Sequence, residues 1–548
     1  MFRSAFDCLR SLAVPIVLAA VSADGCAQDW TNSGGNAQRN GLTTAYGPLS
    51  PQLRWSSGPP SLNAWHPVVA GDRVFVVRQT GGAPFSGPPV GAPNDAPVFA
   101  LDVATGTQLW RRDLPYNPGE TTTWLLGHSN SRVYAARSGN GASASGRVHA
   151  FDAATGATAW ISTAVISAGP DDGCVFADNG DLIVASFLNI WRIRATDGAT
   201  VWTANRAAST SDACGAARFG DAVYVADSVA GGQVIKRFNL ATGVFQYQSP
   251  VMPGQSPFMP GPLNQQHPMV GPDGTVYLNR ASQTAGADFF YAFTDTGAAL
   301  VQRWAVPSAG GVKGEFACGA EGSVYMLQSG DLLTRLDAQT GAVRNSYSVP
   351  LGSGGFKTRM AVDGDGRVFV TNGGFTNGAL LAFDRDLTLR WQVSVPNVNQ
   401  GGPAIAADGT LVVAGTGSNL RAYRTPSPWT NVGGGIAGGL GEPALAGLGT
   451  LTAGNTVTFR AGNAPPNSLG VFILGASALN VPVFGGTLVP SLDVTLVAAF
   501  DGQGRWSLGL PWPAGVATGA SFWWQLAVLD NTGPAGLTAS AGLRSDAP

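Results

Sequence analysis

Charge is scarce in this chain. Only 12% of its 548 residues are Asp, Glu, Lys or Arg, and they balance to a net −2. Of the 32 basic residues only three are lysines, Lys236, Lys313 and Lys357, and no basic cluster forms. That excludes nucleic acid and an anionic membrane surface as partners. After the first twenty residues no apolar run is long enough for a spanning helix, so no transmembrane segment is expected. Helical periodicity is rare throughout. Histidine occurs four times and cysteine five. A haem-attachment Cys-x-x-Cys-His, a Gly-x-Ser-x-Gly, a His-Glu-x-x-His and a phosphate-binding loop are all missing, which removes the commonest catalytic constellations. Asp363-Gly-Asp-Gly366 has the look of a calcium loop but lacks the carboxylate ladder and terminal Glu, and reads as a tight turn.

What is abundant is glycine (75) and proline (36), in a pattern that repeats. Phe99-Ala-Leu-Asp-Val-Ala-Thr-Gly-Thr-Gln-Leu-Trp110 returns as His149-Ala-Phe-Asp-Ala-Ala-Thr-Gly-Ala-Thr-Ala-Trp160. Weaker copies end at Trp202, Tyr247, Trp304, Tyr347 and Trp391, and Leu53-Arg54-Trp55 is an orphan copy of the closing strand. Successive closing aromatics lie between 42 residues (Trp160 to Trp202) and 57 residues (Tyr247 to Trp304) apart, the length of a propeller blade. Each phrase predicts a hairpin: a strand, a turn at Ala-Thr-Gly with Gly at positive φ, and a second strand closed by the aromatic. Asp102, Asp152, Asp337 and Asp384 precede their turns, where a carboxylate caps backbone N–H groups. A residue repeated in every copy belongs to the scaffold.

Between these hairpins lies a second unit of two strands joined by a Gly turn, as in His66–Val76, Cys174–Val184, Pro268–Tyr277, Met360–Val370 and Ala404–Val413. Two strands plus two make a four-stranded blade. Eight inner units are countable, and the last lacks its closing strand, which Leu53-Arg54-Trp55 can supply from the amino end. The expectation is an all-β, eight-bladed propeller over residues 28–424, with seven blades as the fallback, closed by an N-terminal strand.

The Leu/Phe-Asp-Ala-x-Thr-Gly-x-x-x-Trp phrase resembles the blade repeat of the pyrroloquinoline-quinone-like β-propeller family. That family includes quinoprotein alcohol dehydrogenases and a non-enzymatic outer-membrane assembly lipoprotein. Trp30-Thr-Asn-Ser-Gly-Gly-Asn-Ala-Gln-Arg-Asn-Gly41 is similar to the lead-in found before such propellers. The resemblance implies a fold and leaves two functions open, because one fold hosts unrelated activities.

Arg3 and Arg10, the apolar run Leu12–Ala20 and the small-residue Val21-Ser-Ala23 form a signal-peptide pattern over residues 1–27. The protein is therefore expected to be secreted, periplasmic, extracellular or at the cell surface, and monomeric. A lipoprotein anchored at Cys26 is the lesser alternative, since Ala23-Asp24-Gly25 departs from a Leu-rich lipobox. Cys174, Cys214 and Cys318 remain in the mature chain. Cys174 and Cys214 each lie six residues before a Gly, at Gly180 and Gly220, so export would permit a bridge between them, while burial of all three as free thiols is the plainer alternative.

After Arg424 the repeat stops. Residues 425–441, with Gly433-Gly-Gly-Ile-Ala-Gly-Gly-Leu-Gly441, read as a linker, and 442–548 as a C-terminal β-sandwich with strands near Thr456–Arg460, Gly470–Leu474, Val494–Phe500, Trp506–Leu510, Phe522–Leu529 and Leu537–Ala541. This segment resembles a domain appended to secreted bacterial surface proteins. Trp523 and Trp524, adjacent in a strand, must face opposite sides.

Function must then reside on the loops entering the inner strands. These supply the ligand-binding candidates Trp65, His66, Asp172, Asp212, His267, Lys313, Glu315, Lys357 and Arg359. Lys357-Thr-Arg359 and Lys313-Gly-Glu315 join cations to polar neighbours, a pattern that orients anionic or sugar-like ligands. His66 and His267 fall in opposite blades, and for a shared metal the axis of an eightfold ring is wide. No catalytic residue and no metal site is assigned. The resemblance implies, for a dehydrogenase, pyrroloquinoline quinone with Ca2+ at the axis, yet that enzyme family's vicinal Cys-Cys pair is absent. The reading is a secreted, non-catalytic, cofactor-free scaffold presenting a propeller face to a protein, polysaccharide or cell-surface ligand. The alternative is a quinone-dependent periplasmic or extracellular oxidoreductase acting on alcohols or sugars.

Overall fold

The computed structural model describes residues 29–547 except 58–65, 78–96, 115–121, 139–144, 168–173, 187, 207–214, 255–266, 281–285, 287, 309–315, 328–331, 351–359, 373–376, 396–397, 399–400, 416–419, 426–427 and 503. The chain divides into two compact units, Ala27–Pro426 and Ser427–Pro548.

The first unit is a β-propeller. Its described strands form antiparallel sheets that follow one another along the chain, each of four strands except the fourth, to which Met252–Pro253 adds a fifth. The first sheet comprises Val68–Ala70, Arg73–Val77, Pro97–Asp102 and Gln108–Asp113. The second to seventh begin with innermost strands Thr122–Ser129, Val175–Phe176, Ala216–Phe219, Met269–Val270, Ala317–Gly319 and Met360–Val362. The eighth takes Gly401–Ile405, Leu411–Ala414 and Leu420–Tyr423 from the end of the unit and its outermost strand, Leu53–Ser57, from the beginning. Trp55 pairs there with Ala422, the orphan strand supplying the missing edge. Inner strands read as unbroken apolar runs because both faces are covered: Val68–Ala70 and Ala317–Gly319 are buried at every position. Outermost strands such as Gln108–Asp113 expose everything but their central aromatic, Trp110.

That aromatic joins one sheet to the next. Trp110 Nε1 donates to the Ala153 carbonyl (3.0 Å), Trp160 to Ala195 (2.8 Å), Trp202 to Leu240 (3.0 Å) and Trp304 to Ala338 (3.0 Å). Trp55 donates to Val103 (2.9 Å), which links the eighth sheet to the first. The Gly of the next repeat lies under the indole. A Cβ at Gly156 would stand 2.6 Å from Trp110, and one at Gly198 2.5 Å from Trp160, and both glycines have positive φ, 69° and 74°. Two independent constraints therefore require Gly at the end of the turn, in Ala-Thr-Gly156 and in Thr-Asp-Gly198 alike. The carboxylates act as the pattern implies. Asp102 Oδ1 accepts the Ala104 and Thr105 N–H groups, Asp152 those of Ala154 and Thr155, and Asp337 those of Gln339 and Thr340. Asp384 differs, pairing with Arg390 while Asp386 caps the turn at Thr388.

Between the fourth and fifth sheets the joint is polar. Tyr247 replaces the tryptophan, and its hydroxyl donates to Asp295, as does the Tyr224 hydroxyl, both at 2.5 Å. Arg237 Nε adds a third bond at 3.0 Å, and its guanidinium lies 5.4 Å from the Tyr247 ring centre. Burial alone would raise the Asp295 pKa, but the two hydroxyls, the Gly297 N–H and Arg237 hold it below the ordinary carboxylate range.

In the second unit, one sheet orders Trp429–Gly433, Gly542–Asp546, Ser521–Leu529, Leu469–Gly475 and Val494–Ala499, with Leu537–Ala539 beside Ser521–Leu529. A second sheet holds Ala444–Leu448, Thr456–Gly462 and Trp506–Pro511. They share a core containing Trp429, Phe459, Phe472, Trp506 and Trp524. Trp524 is buried and Trp523 half-buried, as adjacency in a strand demands. Within the stretch expected to be a linker, Trp429–Gly433 is a strand paired with Gly542–Asp546 and Ile436 bridges Ala539. Glycine-rich composition hid it, because its ladder partners lie at the far end of the unit. The hairpin Ala478–Val483 and Gly486–Pro490 is a further element that the sequence pattern did not mark.

Candidate functional site

The innermost strands set the axis of the propeller, and the expected ligand residues occupy the segments leading into them. Trp65, Asp172, Asp212, Lys313, Glu315, Lys357 and Arg359 lie outside the described residues, as do Cys214 and the insertion 81–96. His66 and His267 are described, each buried and a few residues ahead of an innermost strand.

His66 is part of the packing. Its ring stacks on the Trp30 indole, with centres 6.0 Å apart and planes inclined by 10°, and its Nδ1 is 2.8 Å from the Pro67 carbonyl oxygen. Trp30 is held in turn by a two-way backbone exchange with Val69. The lead-in therefore packs on one face of the imidazole. The two other histidines are structural: His128 stacks on Phe75 and His149 on Phe151, and burial pushes both pKa values down.

The thiols are sequestered. Cys174 and Cys318 are buried free cysteines, and burial pushes both thiol pKa values up. Cys174 Sγ lies 3.5 Å from the Leu126 carbonyl oxygen. Among the described residues no three His, Cys, Asp or Glu side chains converge as metal ligands. No helix among them is long and apolar enough to cross a membrane.

Charged groups do gather between the third, fourth and fifth sheets. Lys236 Nζ is 2.6 Å from Asp227 Oδ2, and the Arg206 and Asp227 side chains are wholly buried. Arg280, also buried, donates to Gln233 (3.0 Å) and to the Pro253 (2.6 Å) and Gly254 carbonyls. Both clusters bind one sheet to its neighbour. Sequence reasoning missed these and the lead-in side chains: Gln38, Arg39 and Asn40 bond to the inner sheets, and Asn32 and Asn36 to the lead-in itself. The only signal for the latter was the likeness of Trp30–Gly41 to a lead-in.

Fold and repeat together define a β-propeller built from pyrroloquinoline-quinone-like repeats. The family described as outer membrane protein assembly factor BamB matches residues 94–284 and 291–427, more than half of the chain, and the chain belongs to that family. Among solved structures it is similar to BamB from Moraxella catarrhalis at 12% identity, covering 67% of this chain and 98% of that one with a TM-score of 0.46. It is also similar to quinohemoprotein alcohol dehydrogenase from Comamonas testosteroni (13% identity, 75% and 83% covered, TM-score 0.49). A third is the C-terminal WD40 domain of Sif2 (10% identity, 70% and 99% covered, TM-score 0.48). Among curated proteins no match is found.

Proposed function

We propose that this protein is a secreted, non-catalytic interaction scaffold of the bacterial envelope whose ligand is another protein. In this reading the first unit is a closed ring of eight blades, supported by the eight successive antiparallel sheets and by the Trp55 bond from the last to the first. The second unit is a β-sandwich, supported by two sheets around one aromatic core. Residues 1–27 are a signal peptide removed on export, and the mature chain is a monomer in the periplasm or at the cell surface. The observation that carries the proposal is the match of residues 94–284 and 291–427 to a family described by an assembly factor. The loops entering the inner strands, with Asp172, Asp212, Lys313, Glu315, Lys357 and Arg359, form the binding face.

The other branch of the fold family would place pyrroloquinoline quinone and Ca2+ on the axis. Of the residues that branch would use, His66 is described, and one face of its imidazole stacks on Trp30.

The test is a pair of titrations on the mature chain. Immobilised protein is exposed to purified outer-membrane assembly proteins, and separately to pyrroloquinoline quinone with Ca2+ followed by an alcohol and sugar panel with an artificial electron acceptor. Saturable protein binding that weakens in Lys357→Ala and Arg359→Ala is expected. Quinone binding with turnover abolished in Asp172→Ala or Arg359→Ala would overturn the scaffold reading.

A further inference from the structure

Asn32, Ser33, Asn36, Arg39 and Asn40 are buried, at most 7% exposed, in a segment that forms no strand of its own. Buried polar groups outside regular structure need partners elsewhere. Here the partners are the inner strands, taken in ring order. Trp30 exchanges N–H and carbonyl bonds with Val69 of the first sheet, and the Thr31 carbonyl accepts the His128 N–H of the second. The Ala37 carbonyl accepts Arg218 N–H of the fourth, Gln38 accepts Val270 of the fifth and Asn40 accepts Cys318 of the sixth. The Gly41 carbonyl and Thr43 N–H bracket Val362 of the seventh. Side chains reinforce this path: Arg39 Nε donates to the Ala216 carbonyl (2.7 Å), Gln38 Nε2 to Gly271 (3.0 Å) and Asn40 Nδ2 to Val270 (3.1 Å). The Asp363 carboxylate accepts the Gly47 N–H at 2.9 Å. The Tyr46 carbonyl abuts Gly409, at the turn of the eighth sheet. The third sheet is tied to the second by the Cys174 N–H on the Leu126 carbonyl at 3.0 Å.

The segment also folds onto itself. Asn36 Nδ2 donates to Asn40 Oδ1 (2.7 Å), Arg39 to Ser33 Oγ (2.9 Å) and Gly41 N–H to the Gly34 carbonyl (3.0 Å). A Cβ on Gly34 would stand 2.6 Å from Arg39 Cα, so this crossing needs glycine. The bonded residues Val69, His128, Arg218, Val270, Cys318 and Val362 all belong to the innermost strands of their sheets.

We propose that residues 29–47 are an internal clasp that fastens the inner edges of the sheets to one another. Unpaired inner edges would otherwise present bare N–H and carbonyl groups to the axis. The clasp is held by its own bonds and does not depend on its covalent link to the strand Leu53–Ser57.

A protease site inserted between Leu49 and Ser50, where Leu49 is 37% exposed, separates these possibilities in the full chain. After cleavage, the fragment ending at Leu49 is expected to co-elute with the remainder in gel filtration. Cys174 and Cys318 should stay unreactive to a thiol reagent, as read by peptide mass spectrometry. Asn40→Ala and Arg39→Ala should release the fragment and label Cys318 about tenfold faster than the cleaved parent, a local opening in place of global unfolding. Loss of the fragment from the cleaved parent under native conditions would overturn the proposal. So would equal retention and equal Cys318 labelling in the parent and both variants. The uncleaved Asn40→Ala chain should fold with the parent's circular dichroism, so a folding defect is read apart from a loosened clasp.

Discussion

Two joints in the same ring use different physics. Between the first and second sheets, Trp110 fills the space over Gly156 and spends its one N–H on Ala153, a buried contact with no carboxylate in it, flanked by Arg112 on the Gly156 carbonyl. Between the fourth and fifth, Tyr224, Tyr247 and Arg237 converge on Asp295, which is ionised and only partly buried. The tryptophan joint depends on shape and fails when volume is lost. The tyrosine joint depends on charge and fails when a proton is added. A ring of near-identical repeats thus includes a seam in which a carboxylate with a lowered pKa takes the tryptophan's place.

The comparison is broken most severely at the tryptophan. Trp110→Ala should cost about 3–5 kcal/mol, as large-to-small changes in a packed core do, whereas Tyr247→Phe should cost about 1 kcal/mol, one hydrogen bond. Chemical denaturation followed by tryptophan fluorescence checks the ranking, and equal losses would remove the distinction.

A smaller effect is expected from the other side of that contact. Gly156→Ala forces a side chain into left-handed backbone for roughly 1–2 kcal/mol and pushes the Cβ toward Trp110. The same change at Gly297, which also has positive φ but meets nothing within 4 Å, carries the backbone term alone and should be milder. A thermal melt of the pair isolates the indole's share.

Next comes acid. Because the Asp295 pKa is depressed on folding, its contribution is fully present above the ordinary carboxylate range and is lost as pH falls through the depressed value. Asp295→Asn should therefore flatten the acid limb of the stability profile, while Trp110→Ala should shift the whole profile downward and leave that limb's slope unchanged. Parallel denaturant titrations across the acid range read the difference.

The smallest expected signal is at high pH. Burial and the Asp295 carboxylate push the Tyr247 hydroxyl up to about 12, so its bond to Asp295 is intact below the ordinary tyrosine range and is lost as pH rises through that value. Difference absorbance of the parent against Tyr247→Phe should show one late-titrating tyrosine. A tyrosine titrating at its ordinary value would show that the hydroxyl does not face the carboxylate.

Much of the fold was legible because its causes are local. Asp102 and Gly106 shape their turn through residues two to four positions away, so the phrase itself contains the explanation. The closing role of Leu53–Ser57 was legible for a different reason: an incomplete copy at one end matched an orphan copy at the other. What could not be read were contacts between repeats. Nothing in Trp160 announces that its N–H reaches Ala195, and Tyr247 looked like a weak copy of tryptophan when it is the centre of a different joint. The lead-in was visible as a motif but its path was not, since Gln38 meets residues more than two hundred positions away. Residues 425–441 misled for the converse reason: glycine suits a linker and an edge strand alike, and only the ladder to Gly542–Asp546 decides. The candidate loops differ from copy to copy, so the repeat that explains the scaffold is silent about them.

The strand Leu53–Ser57 has a consequence for the timing of synthesis. Its partner, Leu420–Tyr423, is made last of all the propeller strands, so the earliest strand must wait through the synthesis of nearly the whole unit before it can pair. A nascent chain, or one truncated anywhere before Tyr423, holds an open edge on each side, and such edges are where chaperones bind and chains aggregate. Completion of the ring is therefore a test of chain length: only a molecule that has been made to the end can hide both of its edges.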